Sequence, residues 1–399
     1  MQKRIRIVSV GIIFIVLLIS IIVLNNNTDN KHTFKKDGIL YALSLDGKSI
    51  TSFPSKGLYK ANVSCEGADG RWLYDDWKLA IENITGDVSC DIKFETITKT
   101  YLNDYITNLT GTTQGTGQVV NEKGYRYEGK NPNNYVWFNN EYWRIIGVFD
   151  SSSHGQSGKN LVKIIRADVL DGLAWHKSNT NDWTAASLNS LLNGAYYNAQ
   201  DGTSSGYCYG YSTTATANCD YTKKGIQAGY RGMIVKVTWY LGGYSDTSAT
   251  AESFYGYERG TTVYSGRPTS TTGYIGLMYP SDYGYSVLSS SCVRTTNLSS
   301  YSSGACAGQS WLYGKGPEWT LTPDSDVSYT VFFLDGDGMS FHRTNTGKGG
   351  RPVLYLAASV YKIDGEGTLD KPYIIGMWES FILRGWREFP PHAGCIKKV

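Results

Sequence analysis

The 399-residue sequence predicts an α+β fold with an antiparallel sheet, and two features support that prediction. The first is composition: charged residues make up 18% and aromatic residues 14%, with 31 Tyr and 45 Gly. Such a composition is typical of many short strands joined by polar loops. The second is order along the chain, because apolar residues with helical spacing occur in 98–109 and 185–197, whereas strand spacing dominates the end.

The most regular strand pattern lies in residues 319–356 and predicts a three-stranded antiparallel meander. The strands are predicted at 329–335, 339–344 and 351–357. Asp335-Gly336-Asp337-Gly338 predicts a tight hairpin turn, since Gly adopts positive φ without a Cβ clash and Asp tolerates it. Residues 345–350 predict a looser second turn. Earlier in the chain, Asn139-Asn140 lies between two aromatic runs and predicts another hairpin.

An apolar segment near the N-terminus predicts a membrane anchor. Residues 7–24 carry no charge and are long enough to cross a bilayer core of about 30 Å as a helix. Lys3, Arg4 and Arg6 precede this segment, and flanking cations favour the cytoplasmic side. A cleaved signal peptide is the alternative, but no small-x-small cleavage site follows the run. The prediction is a single-pass protein of the cell membrane with an extracellular C-terminal part.

Changes in composition divide the chain into six predicted segments. They are an N-terminal transmembrane helix at 1–24, a polar stalk at 25–36, a small all-β, sandwich-like module at 37–97, a helix and flexible linker at 98–124, a main domain at 125–375, and an atypical tail at 376–399. The tail contains aromatic and basic clusters unlike anything upstream. It is either a peripheral amphipathic segment or a sequence without a role.

The cysteines indicate an exported protein. Six of the seven form sequence-local couples, Cys65 with Cys90, Cys208 with Cys219 and Cys292 with Cys306, and Cys395 is left over. Local pairing is the simplest arrangement because each bond would close one loop or hairpin. Sequence alone leaves the connectivity open, and reduced cysteines are the alternative. The formal net charge of +3 is mostly terminal, so no basic patch supports nucleic-acid binding, and nucleic acid is not expected as a partner.

Several short motifs together resemble a family of exported Firmicute proteins. They are Tyr135-Val-Trp-Phe-Asn, Trp143-Arg-Ile-Ile-Gly-Val, Leu277-Met-Tyr-Pro-Ser-Asp-Tyr-Gly-Tyr, Trp319-Thr-Leu-Thr-Pro and Arg351-Pro-Val-Leu-Tyr-Leu. That family is similar to C-type lectin-like domains of the formylglycine-generating-enzyme branch. The resemblance implies a C-type lectin-like domain at 125–375 whose first and last strands pair. The tract at 319–351 also resembles the variable region of proteins diversified by retroelements, which implies a possibly diversified binding face.

The meander contains the candidate binding residues. Its polar positions resemble a paratope, in which Tyr gives rigid contact area while Ser, Asn and Gly give adaptable hydrogen bonds. The predicted ligand-binding residues are Asp324, Asp326, Tyr329, Asp335, Asp337, Ser340, His342, Arg343 and Asn345. Trp143, Trp319 and Arg351 are expected to frame this face structurally. The predicted function is cell-surface recognition, as an adhesin or receptor, of an unknown extracellular protein or glycan through the face at 324–348.

Three alternatives accompany this prediction. The four Asp residues of the meander could hold calcium in a calcium-dependent lectin, although Asp-Gly turn chemistry explains two of them and no cofactor is otherwise expected. A structural, self-assembling surface protein would use the same Tyr-rich surface. Catalysis is the least favoured, because no nucleophile motif surrounds a candidate Ser or Cys. The chain is therefore predicted not to be an enzyme.

Overall fold

The computed structural model describes residues 33–377 except 37–38, 75, 213–217, 302–305, 315 and 337. The chain divides into two compact units, whose described parts are residues 33–99 and 100–377. The predicted anchor at 7–24, residues 378–399 of the predicted tail at 376–399, Cys395 and Asp337 lie outside the described residues. The last four residues of the predicted stalk form the first strand of the first unit.

The first unit is all β. Its strands are β1 (Thr33–Lys36), β2 (Ile39–Leu45), β3 (Lys48–Ser49), β4 (Tyr59–Glu66), β5 (Asp69–Leu73), β6 (Lys78–Glu82) and β7 (Val88–Thr96). One sheet has the order β1-β2-β7-β4, with β3 beside β2, and β5 and β6 form a separate hairpin. Alternate residues of β2 and β7 are buried, since successive side chains of a strand point to opposite faces. Phe53 and Trp72 complete this core with Phe94.

The second unit contains the remaining strands. They are β8 (Thr100–Tyr101), β9 (Thr113–Gln114), β10 (Gly117–Asn121), β11 (Tyr125–Gly129), β12 (Tyr135–Phe138), β13 (Glu141–Phe149), β14 (Leu161–Arg166), β15 (Leu170–Ala174), β16 (Val237–Tyr240), β17 (Ser270–Gly273), β18 (Ile275–Gly276), β19 (Glu318–Pro323), β20 (Thr330–Asp335), β21 (Gly338–Arg343), β22 (Gly347–Gly350), β23 (Val353–Leu356), β24 (Val360–Asp364) and β25 (Tyr373–Met377). The largest sheet has the order β18-β23-β14-β13-β12-β25-β24-β8, with β9, β10 and β11 attached beside β13. A five-stranded sheet has the order β15-β22-β19-β20-β21 and carries the meander.

The helices of the second unit are short. They are α1 (Leu102–Asn108), α2 (Ser151–His154), α3 (Ser187–Leu191), α4 (Ala228–Arg231), α5 (Ala251–Glu258) and α6 (Pro280–Ser286), with 3₁₀ turns at Trp183–Ala185, Leu298–Ser300 and Ala307–Gln309 and a π turn at Leu192–Tyr196. Thr250 caps α5, because its side chain accepts a hydrogen bond from the Ser253 N–H. The central strands β13 and β14 are buried along almost their whole length and are mostly apolar, apart from the buried Arg144 and Lys163 and the charged residues at their ends. They therefore form the middle of the core.

The predicted α+β class is wrong. The protein is mostly β, with 39% of its residues in strands and 16% in helices, and the strands form several curled sheets. This finding also contradicts the fold prediction of an α+β, C-type lectin-like domain. Helices form near both segments with helical spacing: α1 lies in the first, and α3 with the π turn that continues it lies in the second. Strands also form where composition indicated a linker, since β10 pairs with β11 and buries Val119 completely. Cross-strand packing decides such segments more strongly than local propensity does.

The meander differs from its prediction in one respect. The first hairpin forms as expected, with Asp335 opposite Gly338, and the Asn139–Asn140 hairpin forms with φ of 59° and 58°. The third predicted strand, β23, lies in the large sheet instead, between β14 and β18. The short strand β22 takes its place and pairs in parallel with β19. The last described strand, β25, pairs in parallel with β12, which is the hairpin partner of the strand that contains Trp143.

The predicted single-pass membrane anchor is also corrected. Within the described residues, no helix has both the length and the apolar character needed to span a bilayer. The segment on which that prediction depended, residues 7–24, is not among them.

The predicted disulfide bonds are confirmed, and their pairing is the local one. Cys65–Cys90 joins directly opposed residues of β4 and β7, with the Cα atoms 4.1 Å apart. Cys208–Cys219 and Cys292–Cys306 each close a loop of the second unit. Three such bonds are typical of an oxidising, extracellular compartment.

Candidate functional site

The candidate site lies on one face of the five-stranded sheet. In the β20–β21 hairpin, Val331 lies opposite His342 and Phe333 lies opposite Ser340. Directly opposed residues of an antiparallel pair point to the same side. His342 and Ser340 therefore share a face with Phe333, and Trp319, which is paired with Phe333, lies on that face as well.

Four side chains on this face form a continuous series across four strands, which we call the aromatic row: Lys348 of β22, Trp319 of β19, Phe333 of β20 and His342 of β21. The Trp319 and Phe333 rings are 6.3 Å apart between centroids, and the Phe333 and His342 rings are 5.5 Å apart. The Lys348 ammonium lies 3.9 Å from the Phe333 centroid and 5.7 Å from that of Trp319. Trp319 and Phe333 are buried, whereas Lys348 and His342 are half-buried and form the accessible part of the row.

Lys348 forms no salt bridge or side-chain hydrogen bond with a described residue, and its ammonium lies against the two rings. Burial lowers the pKa of its ammonium, and the more distant Asp335 carboxylate opposes that shift. A cation placed over aromatic rings gains cation–π attraction while it stays available to an anion. Sequence reasoning missed Lys348, because its Gly-Lys-Gly-Gly context is typical of a turn.

His342 is oriented by a neighbour. Its Nδ1 lies 2.8 Å from the Thr346 hydroxyl, which also donates to the Arg343 carbonyl. This contact orients the imidazole ring, so that Nε2 points away from Thr346. Ser340, two residues earlier on the same face, is exposed.

The opposite face of the hairpin presents a second cation. The Arg343 guanidinium lies 5.0 Å from the Tyr329 ring centroid, and both residues are exposed. Phe332 and Phe341 lie on the same side, with ring centroids 4.2 Å apart. Arg343 has no ion pair with any described residue. The predicted binding residues therefore divide between two faces.

Asp324 has a structural position. It is 4% exposed, and its carboxylate accepts hydrogen bonds from the N–H groups of Asp326 and Val327 and from the Thr330 hydroxyl. Asp side chains that bond to backbone two and three residues onward stabilise turns. Asp324 thus closes the turn that leads into β20, and its oxygens are engaged within the protein.

Asn181 anchors the same turn from a distant part of the chain. Its amide group donates to the carbonyls of Asp324, Val327 and Thr330, at 2.8, 3.0 and 3.2 Å. The Arg267 guanidinium donates to the Asn181 side-chain oxygen and to Thr180. Beside it, a pocket is lined by Trp175, Asp182, Trp183, Leu241, Pro268 and Pro323. This loop holds the entrance of the meander in one conformation.

The structure places the predicted residues at different depths. Asp326, Tyr329, Ser340 and Arg343 are exposed, Asp335, His342 and Asn345 are half-buried, Asp324 is buried, and Asp337 is outside the described residues. The three framing residues are buried: Trp143, Trp319, whose indole N–H donates to the Leu173 carbonyl at 2.7 Å, and Arg351, whose Nε lies 2.7 Å from the Glu318 carboxylate. Ser340, His342 and the missed Lys348 are thus the polar groups gathered around the aromatic row.

Two other histidines are engaged by backbone. His154 is fully buried, with Nε2 3.0 Å from the Phe149 carbonyl and Nδ1 accepting from the Gln156 N–H, and burial lowers its pKa. His176 accepts at Nδ1 from the Ser178 N–H, and burial lowers its pKa too. In the described part of the chain, no group of three or more His, Cys, Asp and Glu is arranged to hold a metal ion.

The comparisons with known proteins provide no relative on which to base a function. No protein-family model matches the chain, and neither a curated protein nor a solved structure is significantly similar to it. The function is therefore argued from the geometry of the site.

Proposed function

We propose that this protein is an exported recognition protein that binds an extracellular ligand non-covalently through the aromatic row and the exposed residues around it. The observation that carries the proposal is the ammonium of the half-buried Lys348, which lies over two aromatic rings and forms no salt bridge with a described residue. Burial of a cation without a partner is costly unless a ligand supplies one. The neighbouring Ser340 and His342 add hydrogen-bonding groups on the same face.

A rigid support favours this role. The row crosses four strands of one sheet, Asn181 and Asp324 fix the turn that precedes β20, and disulfide bonds close two loops of the same unit. A pre-organised surface loses little conformational entropy on binding, so more of the contact energy contributes to affinity. Aromatic side chains with a few directed polar groups are typical of recognition surfaces.

The test uses the full chain on an array that carries glycans and extracellular proteins. Ser340→Tyr obstructs the face without changing its charge, and Ser157→Tyr is the matched control at an exposed position in another part of the unit. We expect the unchanged protein and the control to bind the same spots and the Ser340 variant to lose them. Equal binding by all three proteins would exclude this face.

A chelator arm separates the alternatives. A calcium-dependent lectin would lose its array binding in EDTA, whereas recognition through Lys348 and aromatic contacts would persist. A self-assembling protein would instead show concentration-dependent association by sedimentation, and Ser340→Tyr would reduce it. Both alternatives use the same surface, so the location of the site does not distinguish them. The EDTA measurement tests the calcium-dependent lectin, and sedimentation tests self-assembly.

The tract at 319–351 can also be tested for diversification. We propose that substitutions among sibling sequences gather at exposed positions around the row, such as Tyr329, Ser340 and Arg343, and spare the buried Trp319 and Phe333. Substitutions spread evenly over the second unit would contradict this proposal.

A further inference from the structure

The edge of the meander sheet offers backbone groups as well as side chains. β21 is the last strand in the sheet order β15-β22-β19-β20-β21. The Thr344 N–H donates to the Tyr329 carbonyl at 3.0 Å, which fixes that pair as hydrogen-bonded. Hydrogen-bonded and non-hydrogen-bonded pairs alternate along an antiparallel ladder. The backbone groups of Met339, Phe341 and Arg343 therefore point away from β20.

Part of this edge is open in the described structure. The 3₁₀ turn at Leu298–Ser300 packs near the start of β21, where the Leu298 carbonyl approaches Gly338. Further along, the N–H groups of Phe341 and Arg343 have no hydrogen-bond acceptor among the described residues, whereas the Arg343 carbonyl already accepts from Thr346. Unpaired N–H and C=O groups on an edge strand are a template for another extended chain.

Each face of the meander sheet carries a cation that forms no ion pair with a described residue, Lys348 on one face and Arg343 on the other. His342 and Lys348 lie on the face of the aromatic row, and Arg343 lies on the other face beside Tyr329. Other cations of the second unit have carboxylate partners: Lys163 and Arg126 form salt bridges with Asp282, and Arg351 forms one with Glu318. Lys348 and Arg343 have no such carboxylate in the part of the chain that is described.

We propose that the ligand is an extended, acidic polypeptide segment that pairs with the open edge of β21 as an additional strand. This inference rests on the proposed function and names its ligand class. Successive side chains of a strand point to opposite faces, so two consecutive acidic residues would serve both sides. One carboxylate would face the side of the aromatic row, which holds His342 and the Lys348 ammonium, and the next would face Arg343.

The open backbone favours a polypeptide over an acidic glycan. The N–H groups of Phe341 and Arg343 have the two-residue spacing of a strand edge, which the carbonyls of an extended peptide match, whereas the oxygens of a glycan do not repeat with that spacing. Charge-assisted hydrogen bonds to carboxylates are among the stronger polar contacts, so the acidic pair should dominate sequence preference.

The experiment selects random ten-residue peptides, displayed on phage, against the full chain, and then measures the affinity of the synthetic consensus peptide. We expect adjacent Asp or Glu residues in the consensus. Lys348→Met and Arg343→Gln should each weaken binding at least about tenfold. Lys130→Met, which removes an exposed cation outside the meander sheet, is the matched control and should leave the affinity unchanged.

Backbone pairing has its own readout. N-methylation of the alternate peptide amides that face β21 should abolish binding, whereas N-methylation of the intervening amides should be tolerated. Equal tolerance of both sets would overturn the strand-addition proposal.

The remaining outcomes separate this inference from the proposed function. Peptides without acidic pairs that are still blocked by Ser340→Tyr would overturn the inference and leave the proposed function in place. Polygalacturonate binding that depends on Lys348, with no peptide selected, would assign the site to acidic glycans and overturn the polypeptide ligand. Peptides whose binding ignores Ser340→Tyr, Lys348→Met and Arg343→Gln would overturn both.

Discussion

Two lysines of the second unit show how one residue type can serve different purposes. Lys163 is 1% exposed, and its ammonium lies 2.5 Å from the Asp282 carboxylate, which also accepts from Arg126 at 3.0 Å. Lys348 is half-buried over Phe333 and Trp319 without a carboxylate partner among the described residues. Burial lowers the pKa of both, that of Lys163 to about 8 even though Asp282 opposes the shift.

The difference between them is the partner that the fold supplies. Burial acts to raise the pKa of Asp282, but Lys163 and Arg126 more than offset it, so that pKa is lowered and the carboxylate stays ionised. Asp282 also accepts from the Tyr279 N–H at the start of α6, which ties three segments together. A completed network of this kind has a structural role, whereas a cation without a partner is available for a ligand.

The largest expected effect comes from breaking the completed network. Asp282→Asn leaves two buried cations without a carboxylate and should lower the free energy of unfolding by about 3–5 kcal/mol. Urea titration measures this loss, with the exposed Asp370→Asn as the control. Lys163→Met should cost less, because Asp282 keeps Arg126. If Asp282→Asn lowers the free energy of unfolding no more than the control does, the Asp282 network has no special structural role, and Lys163 then does not differ from Lys348 in this respect.

The next effect is a pH dependence from Glu258, which lies beside the same network. This carboxyl is fully buried and accepts from the Ser281 N–H and hydroxyl; burial raises its pKa to about 7, with Arg259 opposing the shift. Since the unfolded carboxyl ionises near 4.5, the folded state holds the proton more tightly between the two values. Stability should therefore fall as pH rises from about 4.5 to about 7, by about 3 kcal/mol.

Glu258→Gln isolates this contribution, because the other titrating groups remain. The difference in unfolding free energy between the unchanged protein and the variant should change with pH in that window and be constant above it. A difference that does not vary between about pH 4.5 and 7 would place the ionisation of Glu258 elsewhere.

A smaller effect is expected at Lys348. Lys348→Met keeps the apolar stem over Phe333 and removes the charge, so the free energy of unfolding should stay the same or rise by less than about 1 kcal/mol. Urea titration checks this, with Lys130→Met as the control. A loss of several kcal/mol would assign Lys348 a structural role like that of Lys163.

The smallest effect is the coupling between the two regions. Among the described residues, the Asp282 network and Lys348 have no ring in common: Lys163 of the network packs on Phe149 and Tyr279, whereas Lys348 packs on Phe333. A double-mutant cycle between Asp282→Asn and Lys348→Met should be additive within about 0.5 kcal/mol. A larger coupling energy would mean that the stability of the Asp282 network depends on the aromatic row.

Much of the local structure was predictable from the sequence. Alternating apolar residues predicted the β20–β21 hairpin, Asp335 and Gly338 predicted its turn, and short spacing predicted the three disulfide pairs. Among the candidate residues, Tyr329, Ser340 and Arg343 are exposed, but they lie on two faces of the hairpin where one was predicted. These features depend on neighbours within a few residues or on a single loop, so a local pattern contains the information.

The burial of Asp324 and the role of Lys348 were not predictable in this way. Asp324 is held by a turn that Asn181 secures from 143 residues away, and the position of Lys348 over Phe333 depends on the parallel pairing of β22 with β19. Helical spacing predicts helices that are real but short, and for this reason the sequence predicts an α+β class although the protein is mostly β.

The sequence by itself determined which residues alternate along each strand, where the chain turns and which cysteines are close enough to pair. Only the tertiary structure decided which strands share a sheet, and therefore that Lys348 meets two aromatic rings while Lys163 meets a carboxylate. The physical reason is that periodicity follows from the geometry of a single strand. Partners across a sheet are chosen by burial and pairing among segments far apart in the chain.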